Sequence, residues 1–252
     1  MSRLGVAARC VLLAAAAALL PACAGGAGPS GTVTVFAAAS LTGSFAKIGA
    51  AFEAANPRLT VRFNFGGSSA LAQQIVSGAP ADVFAAASPA TMQTVVDAGE
   101  ATAPQVFARN RLVIAVPATN PGKVSRLADF AHPELAIALC AEQVPCGAAA
   151  AKAFSGAKIT AAPDTLEQDV QAVLSKVRLG EVDAALVYRT DVLASGGKVV
   201  GIAFPESDEA VNDYPVATLT SARNAAAAAA FVAYVLSPEG QRVLADAGFD
   251  SP

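Results

Sequence analysis

Thr32-Val33-Thr34-Val35-Phe36 runs into Ala37-Ala38-Ala39-Ser40-Leu41-Thr42, and this passage decides the fold class. The first five residues are β-branched or aromatic and read as a strand. Leu41, Phe45, Ile48 and Phe52 then recur at spacings of 4, 3 and 4, which is one face of a helix. A strand has passed into a helix through a short turn that carries Ser40. Asn56-Pro57 breaks the helix. Leu59, Val61, Phe63 and Phe65 alternate as a second strand, Gly66-Gly67-Ser68-Ser69 turns the chain, and Leu71, Ile75 and Val76 begin a second helical face.

The same alternation continues outward. Ala81 to Ala85 reads as a short buried strand, and Met92, Val95 and Val96 as a helix. Leu112 to Val116, ended by Pro117, is a continuous apolar run expected of a central strand. Leu135, Ile137 and Leu139 alternate before Cys140. Val170, Val173, Leu174 and Val177 line a helix closed by Gly180. Ala184 to Tyr188 and Val199 to Phe204 read as strands, and Val216 to Leu219 as another. An alanine-rich helix over about 222–236 and a final helix opened by Pro238 complete the chain. This order predicts an α/β architecture with mostly parallel sheets covered on both faces. Ligands of such sheets sit beyond the carboxyl ends of the strands, where helices begin.

Composition narrows the function. Of 252 residues, 54% are hydrophobic and 15% charged, which supplies a sizeable core and excludes a disordered chain. Net charge is −3 with no basic tract, which argues against a nucleic-acid partner. A single His excludes a His-rich metal centre.

Arg3 and Arg9, the apolar run from Cys10 to Leu20, and the small residues after Pro21 have the layout of an export signal. The apolar run is shorter than the roughly 20 residues of a membrane span. Leu20-Pro21-Ala22-Cys23 resembles a bacterial lipobox with Pro21 in place of the usual small residue. Cys23 is the lipidation candidate, cleavage after Ala22-Cys23-Ala24 the alternative, and residues 24–31 the flexible tether. Lipidation at Cys23 places the protein on the outer face of the cell membrane. Cys140 and Cys146, six apart in an oxidising compartment, are expected to close a small disulfide loop. The spacing is not C-x-x-C and supports no thioredoxin-like role.

Chemistry concentrates in the two turns at Ala39-Ser40-Leu41-Thr42 and Gly66-Gly67-Ser68-Ser69. Each offers free backbone N–H groups, a hydroxyl and the positive end of a helix dipole, which together hold an anion without a counter-charge. One such serine would read as a plain N-cap; two in the first 40 residues of the mature domain weaken that reading.

With these turns, Gly78-Ala79-Pro80-Ala81-Asp82-Val83-Phe84, Val144-Pro145-Cys146-Gly147, Asp169-Val170, Gly180 to Tyr188 and Ser237-Pro238-Glu239-Gly240, the chain resembles the molybdate-binding periplasmic proteins, the substrate-binding components of ABC importers. The resemblance spans the mature chain. It implies a two-lobed type II periplasmic-binding fold, with 31–112 and 218–252 in the first lobe, 113–217 in the second, and two crossover segments. It implies a tetrahedral oxyanion, molybdate or tungstate, held by hydroxyls of Ser40, Ser68 and Tyr188 and by backbone N–H groups of Cys146 and Val170. Cys146 stands where the family usually has Ala. It further implies a monomer, a membrane permease paired with an ATPase as partner, and no cofactor, enzymatic activity or metal bound directly by side chains.

Proton-free molybdate only accepts hydrogen bonds, and hydroxyls and N–H groups only need to donate them. Sulfate is also proton-free, so its rejection must come from cavity size. Asp82 and Asp169 would repel an anion and are assigned to backbone fixing and helix stabilisation outside the site. Arg109 and Arg111 read as surface or hinge charges, His132 as solvent-facing, and Tyr214 as core packing or hinge. Three rivals remain. A serine hydrolase lacks a G-x-S-x-G elbow and has only His132 to serve as base. A carrier of another oxyanion such as sulfate would show in anion competition. A non-transport surface lipoprotein would retain no oxyanion.

Overall fold

A computed structural model describes residues 29–252. The expected export signal, Cys10, the lipidation candidate Cys23 and most of the expected tether lie outside the described residues. Strand β1 (Gly31–Ala38) leads through a 3-10 turn (Ala39–Leu41) into α1 (Thr42–Ala55). There follow β2 (Leu59–Gly66), α2 (Ser68–Val76), β3 (Val83–Ala85), α3 (Pro89–Asp97) and β4 (Gln105–Asn110). The chain then passes into β5 (Leu112–Pro117), β6 (Ile137–Cys140), α4 (Pro145–Ala157), β7 (Thr165–Glu167), α5 (Val170–Leu179), β8 (Ala184–Tyr188), α6 (Arg189–Ala194) and β9 (Val199–Ile202). It returns through β10 (Asn212–Thr218) to α7 (Ala225–Leu236) and α8 (Pro238–Asp246).

The strands form two five-stranded sheets, in the orders β2-β1-β3-β10-β4 and β7-β6-β8-β5-β9. The expected mostly parallel pairing is corrected to a mixed one. β1 pairs parallel with β2 and β3, and β6 with β7 and β8. β10 is antiparallel to β3 and β4, and β5 to β8 and β9. The reversed strand in each sheet is the first one laid down after a crossing between sheets. It enters from the gap side, whereas the neighbouring parallel strands end there. β10 already belongs to the first sheet at Asn212, so the second crossing precedes that residue rather than lying at 217/218.

Side-chain alternation sorts the first sheet's faces. Val33, Val35 and Ala37 of β1 and Val83 and Ala85 of β3 join the main core, which also takes Phe45, Phe52 and Phe231 from α1 and α7. Phe36 and Phe84 point to the other face and pack with Leu71, Ile75, Met92 and Val95 of α2 and α3. Both faces are covered, and the carboxyl ends of β1, β2 and β3 are left facing the second sheet. Asp82 is buried at the far end of β1, where it accepts from Thr34 N (2.7 Å) and Asn224 N (3.1 Å) and ties that strand to the start of α7.

At the first crossing Arg109 pairs with Asp213 (2.8 Å), and Arg111 with Asp208 (2.7 Å) and Asp250 (3.2 Å). These are partly exposed surface pairs of small energetic weight. No described helix is long and apolar enough to cross a membrane.

Candidate functional site

Three helices aim their N-termini into the gap between the sheets. α2 starts at Ser68 with Gly67 as N-cap and no side-chain cap, so its first N–H groups are free. α4 starts at Pro145 with Val144 as N-cap and no side-chain cap, which leaves the N–H of Cys146 free. Pro145 itself has no N–H to lose, and its fixed φ suits the first helical position. α5 is capped by Asp169, whose Oδ1 accepts from Gln171 N (2.8 Å) and Ala172 N (3.0 Å). That cap takes the second and third N–H groups and leaves the first, Val170, unpaired.

Ser40, Ser68, Cys146, Val170 and Tyr188 all line one cavity of about 20 Å³, together with Ala39, Gly67, Ala87 and Asp169. One water needs roughly 10–15 Å³ on the same measure, so the space admits one compact guest and excludes a sugar or peptide. No Lys, Arg or His lines it. A wider groove of about 450 Å³ lies outside, bordered by Ser69, Gln73, Thr91, Gln143 and Gln168. Across it Ser69 Oγ donates to Gln143 O at 2.7 Å, so the two halves are shut on each other.

The hydroxyls are held by what stands behind them. Ser68 Oγ accepts from Ala87 N (3.0 Å), which leaves its hydrogen for the cavity. Ser40 Oγ bonds the Tyr214 hydroxyl at 2.9 Å. Tyr188 and Tyr214 are fully buried, with ring centroids 5.9 Å apart at 73°. Burial pushes both phenols well above their usual range, and the nearby Asp191 carboxyl adds to the rise, so both stay protonated donors.

Two expectations are refined here. Asp169 is the N-cap of its helix rather than a first-turn residue pointing away, and it borders the cavity with its carboxylate turned onto helix N–H groups. Tyr214 packs against Phe107 and Phe249, as core packing requires, and also holds Ser40. His132 is half-exposed beside Glu134 (3.1 Å), as the solvent-facing reading expects.

Cys140 and Cys146 are joined in a disulfide and both are buried. The bond closes the loop that carries the start of α4, so it ties the Cys146 N–H to the end of β6. Replacing both residues by alanine is expected to lower unfolding stability by about 2 kcal/mol from loop entropy. Chemical denaturation of the oxidised protein and the double variant checks this.

Asn212 and Asp191 escaped sequence reasoning. Asp191 accepts from Tyr188 N (3.0 Å) and Gln171 Nε2 (2.7 Å) at the start of α6. A carboxylate three residues after a helix N-cap is a recognisable signal, but Tyr188 in the N-cap position hides it.

The profile of bacterial extracellular solute-binding proteins matches residues 33–250. The chain belongs to that family. A relative from Mycobacterium tuberculosis, named molybdate-binding protein ModA, is 43% identical over 222 residues, covering 88% of this chain and 85% of its own. Among solved structures, the periplasmic molybdate-binding protein of Azotobacter vinelandii superposes with a TM-score of 0.77 at 20% identity, over 87% of this chain and 99% of that one. The sulfate-binding protein SubI of Mycobacterium tuberculosis gives 0.76 at 18% identity, over 87% and 86%. These two likenesses establish the two-lobed α/β fold and do not separate the anions. Membership of this family makes the chain an exported solute-binding protein and not an enzyme.

Proposed function

We propose that this protein binds molybdate, and tungstate by the same chemistry, in the cavity between its halves and delivers it to an ABC importer made of a permease and an ATPase. The observation that carries the reading is the convergence of Ser40, Ser68, Cys146, Val170 and Tyr188 on one small cavity with no cationic side chain. Every one of these groups can donate, and a proton-free dianion only accepts. Hydrogen bonds to a charged partner contribute about 1.5–3 kcal/mol each. Phosphate keeps a proton and needs an acceptor. The one carboxylate bordering the cavity, Asp169, has its Oδ1 engaged by two helix N–H groups. Lipidation at Cys23 would hold the carrier at the membrane beside its permease.

Calorimetric titration with molybdate, tungstate, sulfate and phosphate tests the reading. Tight binding of the first two and none of phosphate is the expected result; retention of no oxyanion at all overturns it. Ser40→Ala combined with Ser68→Ala removes two donors, and the expected loss is a hundredfold or more in affinity. Unchanged affinity in that folded variant would remove the two serines from the site.

A further inference from the structure

Asn212 opens β10, immediately after the chain has crossed back into the first sheet. Its carboxamide is buried between the halves. Nδ2 lies 2.7 Å from Ala87 O, 2.9 Å from the Tyr188 hydroxyl and 3.4 Å from Pro145 O. Ala87 follows β3 of the first sheet, whereas Pro145 and Tyr188 belong to elements of the second, and all three border the cavity.

The two carbonyls can only accept, and this fixes which end of the amide faces them. Turned over, Oδ1 would confront two carbonyl oxygens and leave that of Ala87 without a donor. With nitrogen in place, Tyr188 must accept from Asn212, because an amide nitrogen has no lone pair to offer. A phenol has a single hydrogen. With its oxygen engaged from behind, Tyr188 directs that hydrogen away from Asn212, toward Tyr214 or a guest in the cavity. The Ala87 peptide links this to the first half: its N–H holds Ser68 Oγ while its carbonyl holds Asn212.

We propose that Asn212 is a positioning residue that sets the Tyr188 hydroxyl as a donor into the cavity, and that it does so only when the halves are closed, since its partners come from both. The role rests on the oxyanion reading above and goes beyond it in naming what orients a donor. In an open form Asn212 separates from Tyr188 and the phenol is free to turn. Closure and donor orientation are thus one event.

A double-variant cycle tests the role. Wild type, Asn212→Leu, Tyr188→Phe and the double variant are titrated with sodium molybdate, and the unliganded proteins are checked by thermal unfolding. Each single change is expected to weaken binding about tenfold or more. The double variant is expected to be no weaker than the weaker single by more than about threefold, because both act through one hydroxyl. A residue that only shapes the cavity would give losses that multiply, and that result overturns the role. So does unaltered affinity in folded Asn212→Leu. If leucine does not fold, Asn212→Ala carries the same cycle under the same criteria. A wild-type protein that binds no molybdate overturns the ligand reading, and this role with it; multiplying losses against a binding wild type overturn the role of Asn212 alone.

Discussion

Gly67→Ala is expected to weaken oxyanion binding by a hundredfold or more while leaving the unliganded protein as stable as wild type. Gly67 has φ −59° and ψ 127°, a backbone any residue adopts, so conformational freedom is not why glycine is needed. Space is. A Cβ there would sit 2.3 Å from Gln168 O, and the next nearest atoms are Asp169 Cβ and Gln168 C, each at 3.5 Å. All three belong to the second half, in the loop between β7 and α5. Ordinary contact begins at 3.4 Å, so alanine holds the halves about 1 Å too far apart. Hydrogen bonds of about 2.9 Å do not survive such a stretch. A guest gripped from both sides then loses its bonds to one half. At about 1.5–3 kcal/mol each, loss of two gives the stated factor. The open form has no such conflict, which predicts unchanged thermal unfolding without ligand. Calorimetry and a thermal melt on the same preparation check both parts. Wild-type affinity in this variant would mean that the ligand-bound state is not the closed arrangement described here.

What could be seen in the sequence follows from how local each signal is. The β1 to α1 and β2 to α2 passages are fixed by β-branched runs, helical spacing and Asn56-Pro57, all within a dozen residues, and they appear where expected. So do β5 and β8, whose runs are apolar without interruption. The short β7 and the β4 strand Gln105–Asn110 have mixed composition and gave no strand signal; they exist because a neighbour offers a free edge. Helix α4 carries no sequence signal since its alanines give no contrast between faces, and Pro145 marks its start only once the helix is known. β10 begins at Asn212, earlier than Val216, because a bulge at Tyr214/Pro215 lets the strand carry a proline. Strand direction was beyond local reading altogether, as it depends on where the chain crosses.

The site divides the same way. Ser40 and Ser68 announce themselves through turn chemistry, and Cys146, Val170 and Tyr188 through the family resemblance. Asn212 and Tyr214 were invisible as partners because their contacts join residues 24 to 174 positions apart. No spacing rule reaches across a crossing between sheets.

Asp191 provides a pH dependence whose sign can be derived. It is buried without a cationic partner, and desolvation is the largest influence on it, raising its pKa from 3.8 to about 7 against the Tyr188 N–H and Gln171 bonds that lower it. Asp169, the N-cap of α5, adds a further rise, while Lys47 of α1 and Asp246 of α8 line a second groove that Asp191 also borders. In the unfolded chain the carboxyl titrates near the ordinary value. Between pH 3.8 and 7 the folded protein therefore holds a proton that the unfolded one has released. The contribution to stability is present in full below the unfolded value and is lost as pH rises through about 7, by at most roughly 1.4 kcal/mol per pH unit and on the order of 4 kcal/mol in all. Asp191→Asn removes the titration while keeping an oxygen for the Tyr188 N–H, and Gln171 can turn its amide to face the new NH₂. The variant is expected to unfold with a shallower pH dependence from 4 to 7 and to be more stable than wild type at pH 8, read by urea denaturation at each pH. A dianion in the adjoining cavity raises the Asp191 pKa further, so binding near neutral pH should take up a fraction of a proton. Calorimetry in buffers of different ionisation enthalpy measures that uptake in wild type and should find it gone in Asp191→Asn. Equal uptake in both would move the titration to another group.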